Sequence, residues 1–324
     1  MNYKHLIDAI KKYGSTEEDI CLHGTGVRPD QINENVILAP WWEPDILQDL
    51  GDTEYRSESP SASIKVWNIK NNSLNITYIK TGIGAPVLMD TLLSLGVTKC
   101  RRAIFIGSVG SLDPQINIGD IVIPEYSICG DGASRYITAD TLTHTDPFGE
   151  KQYPDPHLQN TLCKLARHIC QTNNVPLHKG RTFSIDTIVA QFAHIEEITA
   201  MGCNIIEMET AAAFRAAKTA AIPLTALFSV SDNTITHKSL ISGRTKEEIQ
   251  HRKFTRNTLI PQILLNTFKD PRSIIKHPLP LFPNILYNNL QREITKDCAG
   301  GIKRFFPPWL AYGCGGSART CFPP

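Results

Sequence analysis

The chain of 324 residues has no apolar run near the roughly 18 residues that a membrane span requires. It also has no excess of one charge, with 33 Lys and Arg against 32 Asp and Glu. That balance argues against nucleic acid as a partner, because nucleic-acid-binding domains usually carry a clear basic excess. The nine cysteines are odd in number and none is spaced C-x-x-C. Such a set argues against a zinc centre or a disulfide framework, so no metal is expected and a reduced, cytoplasmic setting is. The opening MNYKHLIDAIKKY is too polar for a secretory signal.

What is present is an alternation of short buried strands with helical patterns of 10–15 residues. Strands are expected over 35–39, 63–70, 74–80, 102–107, 120–124, 181–184, 204–206 and 223–230. The two strands at 63–80 read as a hairpin around Asn71-Asn72. Helices are expected over 157–173, with Leu158, Leu162, Leu165, Ala166 and Ile169 on one face, and near 191–201, 210–220 and 246–268. Pro261 is expected to kink the last of these. The pattern predicts a three-layer α/β/α fold with a mixed, mostly parallel central sheet. We divide the chain into an N-terminal extension (1–34), a main domain (35–269) and a tail (270–324). The tail holds 8 of the 21 prolines without any period, so no independent fold is expected there.

Four motifs fall at expected strand ends, where open α/β sheets bind ligands. Gly82-Ile83-Gly84 precedes a helix opened by Pro86. Val87 stands where a dinucleotide fingerprint needs Gly or Ala, so a tight turn or a close ligand approach are the readings left. Ser108 follows Gly107; a hydroxyl there suits a phosphate or a polarised water, and a helix N-cap explains it equally. Glu207-Met208-Glu209 places two carboxylates where burial is costly unless something needs them. Asp232 follows an apolar strand; it is either a buried proton donor or the start of an Asx turn.

The stretches TGIGAP, IFIGSVGSL, IGDIVIP, GRTFSID, IIEMETAA and SVSD occur in this order over roughly residues 35–265. In them the chain resembles the nucleoside phosphorylase-I family of purine nucleoside phosphorylases, uridine phosphorylases and methylthioadenosine-type nucleosidases. The resemblance implies cleavage of a purine nucleoside's N-glycosidic bond, by phosphorolysis first and by water as the alternative, with no cofactor and as a homo-oligomer (a dimer or trimer of dimers); a non-catalytic nucleoside-binding or storage member of the fold is the other reading. By matching position, Glu209 resembles the glutamate that binds the ribose hydroxyls, with Met208 packed on the sugar and Glu207 lining the pocket. Asp232 resembles the acid that protonates a purine at N7, and Arg244 an arginine that assists it. His23 matches a histidine lent to a neighbour's ribose site. Gly84, Ser108, Val109 and Gly110 would meet phosphate and base, and Ile188 stands near the base-stacking position. The family's phosphate arginines are not matched: the loop after the first strand reads PWWEPDIL, and Phe105 occupies another arginine's place. Arg56, Arg101 and Arg102 are the candidate replacements, and Glu43 is the candidate base if water attacks instead.

Overall fold

The computed structural model describes residues 1–56, 64–71, 74–139, 142 and 146–274. The Asn72 end of the hairpin turn and the tail from 275 onward lie outside the described residues.

In chain order the strands are β1 (Asn35–Ala39), β2 (Asp52–Tyr55), β3 (Lys65–Asn71), β4 (Leu74–Lys80), β5 (Arg102–Ser111), β6 (Ile121–Gly130), β7 (Lys151–Gln152), β8 (Leu177–Ile185), β9 (Ile205–Glu207) and β10 (Leu224–Asn233). The helices are α1 (Tyr3–Lys12), α2 (Glu17–Thr25), α3 (Ala85–Leu95), α4 (Arg135–Thr138), α5 (Pro156–Thr172), α6 (Ile195–Ala200), α7 (Thr210–Thr219), α8 (Lys246–Phe254) and α9 (Ile260–Lys269). Together the strands form one mixed sheet.

β1 is central. It pairs in parallel with β4 on one side and β5 on the other, and all five of its residues are buried. Its side chains alternate between two cores, as the two-residue period of a strand requires. Val36 and Leu38 join the apolar cluster under α2, α3 and α7; Ile37 and Ala39 join the cluster under α5 and α9. Those two clusters are the two interfaces of a three-layer fold. The expected apolar face of α5 is buried at Leu158, Leu162, Ala166 and Ile169. Residues 1–34 contribute Ile7, Ile20 and Cys21 to the first cluster. Helix α2 opens with a capping box in which Thr16 and Asp19 satisfy each other's backbone N–H.

Beyond β5 the sheet rolls. β10 pairs in parallel with β5 and antiparallel with β6; β6 and β8, then β8 and β9, are parallel; and β9 returns antiparallel to β5. β5 runs on to Ser111, past the expected end at 107, because both β10 and β9 supply partners for its second half. Ser108 therefore sits inside a strand and is not a helix N-cap.

The helix expected over 246–268 is continuous, with a π turn at Thr255–Leu259 between α8 and α9. Pro261 lacks an N–H and crowds the carbonyl four residues back. A wider turn placed just before it absorbs both effects.

Candidate active site

A cavity of about 370 Å³ opens where β5, β9 and β10 meet. Its wall includes Ser108, Gly110, Ile188, Glu207, Met208, Glu209, Asp232 and Arg244. Eight of the residues singled out in the sequence thus share one space. They do not arrive there as ends of parallel strands on one edge. β9 runs antiparallel to β5, with Ile206 opposite Gly110, so the Glu-Met-Glu stretch enters from the opposite direction. A wider groove of about 810 Å³ lies along α5, lined by Tyr153, Asn160, Cys163 and Arg167. It contains neither Glu209 nor Asp232, so the chemistry belongs to the smaller cavity.

Glu207 and Glu209 have different surroundings. Glu207 Oε2 accepts from the backbone N–H of Glu209 and of Thr210, both at 2.7 Å. Its Oε1 accepts from Ser184 Oγ at 2.5 Å, and Ser184 in turn accepts from the N–H of Ala211 at 2.9 Å. Glu207 is therefore the anion at the N-terminus of α7, where otherwise unpaired N–H groups and the helix dipole favour negative charge. Burial raises its pKa and these bonds oppose the rise. We expect Glu207→Ala to leave buried donors unpaired and to cost at least about 2 kcal/mol, read as a lower denaturation midpoint.

Glu209 has fewer donors. Its Oε1 accepts from the N–H of Gly84 at 2.8 Å. Gly84 can present that N–H because its φ of 114° is open to glycine and strained for other residues. Burial raises the pKa of Glu209, and the charge of Glu207 raises it further. Met208 is half-buried beside it on the cavity wall.

Asp232 lies in register with Gly110, beyond an irregularity in β10. A Cβ on Gly110 would stand 3.0 Å from Asp232 Oδ2 and 3.1 Å from Ile206 Cγ2, so the glycine makes room for the carboxyl group. Burial raises the pKa of Asp232; Ser231, Arg244 and Arg252 hold it back. Ser231 Oγ lies 2.5 Å from Asp232 Oδ1 and 3.1 Å from the carbonyl of Val109. This geometry serves both states. Ser231 donates to an ionised Asp232, or accepts from a protonated one while donating to Val109. The Asx turn belongs to the next residue. Asn233 Oδ1 accepts from the N–H of Thr236 at 3.1 Å, and its Nδ2 donates to the carbonyls of Asp113 and Ile116, both at 2.8 Å. Asp232 is left to face the cavity.

Other expected residues are placed differently. The Val109 side chain belongs to the apolar core and not to the cavity wall. His23 is exposed on α2, outside the cavity of its own chain. Arg101 pairs with Glu34 at 3.7 Å. Arg102 is buried at the far end of β5, where it donates to Asn35 at 2.7 Å and to the carbonyl of Phe268 at 2.5 Å. Both sit at the wrong end of the strand to reach the cavity. Arg56 pairs with Glu54 at 2.6 Å. Glu43 pairs with Lys80 and does not line the cavity.

Sequence reasoning passed over Arg252. It projects from α8 into the cavity, and its Nη2 donates to Ser108 Oγ at 2.9 Å. No signal marked it, since KEEIQHRKF reads as a solvated helix and contains no fully buried residue. Trp41 and Trp42 from the loop after β1, together with Gln191, also line the wall. Gln191 is buried near Ile188 and brings a side-chain amide, both donor and acceptor, to the wall.

Comparison with known proteins identifies the family. Residues 39–258 match the family model of the phosphorylase superfamily. Uridine phosphorylase of Escherichia coli is 29% identical over 163 residues, which are 45% of this chain and 58% of that enzyme. The match thus spans little more than half of that relative's length. A DeoD-type purine nucleoside phosphorylase of Bacillus velezensis is 24% identical over 169 residues, 51% of this chain and 67% of its own. The crystal structure of uridine phosphorylase from Vibrio fischeri superposes with a TM-score of 0.61 at 18% identity, covering 75% of this chain and 95% of that one. The chain belongs to the phosphorylase superfamily.

Proposed function

We propose that this protein cleaves the N-glycosidic bond of a purine ribonucleoside or deoxyribonucleoside by phosphorolysis. The observation that carries the reading is Asp232, a buried acid with a raised pKa in the same cavity as Glu209. A phosphate oxygen bonds to C1′ as the C1′–N9 bond breaks. The electron pair goes to the purine, which takes the proton of Asp232 at N7 and leaves neutral. Asp232 then regains a proton from solvent. Positive charge builds on the sugar during this step, as in glycoside hydrolysis. Glu209, gripping the ribose hydroxyls, orients and stabilises it.

Two observations bear on alternatives. Relatives named uridine phosphorylase favour a pyrimidine, but a pyrimidine lacks the N7 that makes a single positioned acid such as Asp232 sufficient to release a neutral base. Attack by water would need a base, and Glu43, the candidate for it, is engaged by Lys80. The reading assigns catalysis to residues 35–269 of a cytoplasmic homo-oligomer in which His23 completes a neighbour's ribose site. Its test is base release from inosine, adenosine, methylthioadenosine and uridine, each with and without phosphate. Release of purine only when phosphate is present is expected. Phosphate-independent release, or cleavage of uridine alone, would overturn the reading.

A further inference from the structure

Two arginines face the cavity without a carboxylate partner. Arg244 Nε donates to the carbonyl of Ser231, and Arg252 Nη2 donates to Ser108 Oγ at 2.9 Å. Among the described residues neither forms an ion pair. Of the nearby carboxylates, Glu248 pairs with Lys238 and Asp120 with His178, while Asp232 feels both arginines but forms no ion pair with either and is hydrogen-bonded to Ser231. Arg252 Nε is buried and has no hydrogen-bond partner. Burial and the neighbouring Arg244 and Arg256 lower the pKa of Arg252 to about 10, so it stays charged at neutral pH. A half-buried cation that forms no ion pair and leaves a buried donor unused is costly. With Asp232 protonated, the two guanidinium groups give this part of the cavity a net positive charge. A guanidinium with an unused donor, beside a hydroxyl, matches a phosphoryl oxyanion.

We propose that Arg252, together with Ser108, binds the attacking phosphate, so that the anion subsite of this chain is built from α8. The loop after β1 places Trp41 and Trp42 on the cavity wall and Phe105 carries no charge, so neither supplies the missing cation. This inference rests on the phosphorolytic reading above and names its phosphate ligand. A phosphate group on the substrate itself would present the same chemistry, so the test separates the two sources.

Arg252→Met and Arg252→Lys are compared with the wild-type full-length chain, after circular dichroism confirms folding of each. Trp41 and Trp42 provide a direct binding signal, since both line the cavity. Titration with inorganic phosphate should quench wild-type tryptophan fluorescence. In steady-state phosphorolysis of inosine, Arg252→Met should raise the KM for phosphate at least about tenfold, the loss of one charge-assisted hydrogen bond. The KM for inosine should stay within about twofold, and Arg252→Lys should fall between the two. If the wild-type enzyme requires phosphate but both variants keep its phosphate KM and quenching, the assignment of Arg252 is overturned while phosphorolysis stands. If wild-type base release ignores phosphate and no quenching occurs, both fall. If adenosine 5′-monophosphate, but not inorganic phosphate, quenches fluorescence in an Arg252-dependent way, the anion belongs to the substrate and the co-substrate assignment is overturned.

Discussion

Replacing Asp232 by Asn should lower kcat on a purine nucleoside about 10²–10⁴-fold, the range for loss of a positioned general acid. The substitution keeps size and one acceptor, so contact with Ser231 and the space made by Gly110 survive. Only the proton is removed. The pH profile checks the same point. Burial raises the Asp232 pKa from its ordinary value. The acid form is present below that pKa and is lost as pH rises through it. Wild-type kcat should therefore fall on the alkaline side of this ionisation, and Asp232→Asn should lose that limb. A variant of near wild-type rate would remove Asp232 from the chemistry.

Glu209→Ala should cost about 10²–10³ in kcat, the range for removing one preorganised partner of developing charge. One oxygen of Glu209 is held by the N–H of Gly84, so the carboxyl group is fixed before substrate arrives. Positioning of this kind spares reorganisation at the moment of bond cleavage. Glu209→Gln should retain part of the activity, since it keeps an acceptor oxygen for the N–H of Gly84. Comparing ribo- and 2′-deoxyribonucleosides separates grip on the diol from stabilisation of the sugar cation. The variant should lose less on the 2′-deoxy substrate if the 2′-hydroxyl is a partner. Glu207 provides the contrast, because its loss should appear in stability, where Glu209 should appear in rate.

The three-layer fold and most of the cavity were legible because their signals are local. The short apolar run of β1, the apolar face of α5 and the glycine turn before α3 each follow from neighbouring residues. Asp232 was legible as a candidate, yet its choice between turn and acid was not. That choice depends on Asn233 taking the turn, through carbonyls some 120 residues earlier in the chain. The separate roles of Glu207 and Glu209 depend in the same way on Ser184 and Gly84, which the sheet brings to them. Arg252 was invisible because a charged residue on a polar helix normally meets water. Only the packing of α8 against β10, the neighbour of β5, turns it toward Ser108. Arg102 is the converse, a buried arginine close in sequence to the site whose position at the start of β5 directs it to Phe268 instead.

The most direct test of the whole account is phosphorus NMR of the wild-type enzyme with inosine and inorganic phosphate. Phosphorolysis predicts a ribose 1-phosphate resonance growing in step with free hypoxanthine, its growth slowed about 10²–10⁴-fold by Asp232→Asn. Hypoxanthine accompanied by free ribose and an unchanged phosphate signal would contradict it.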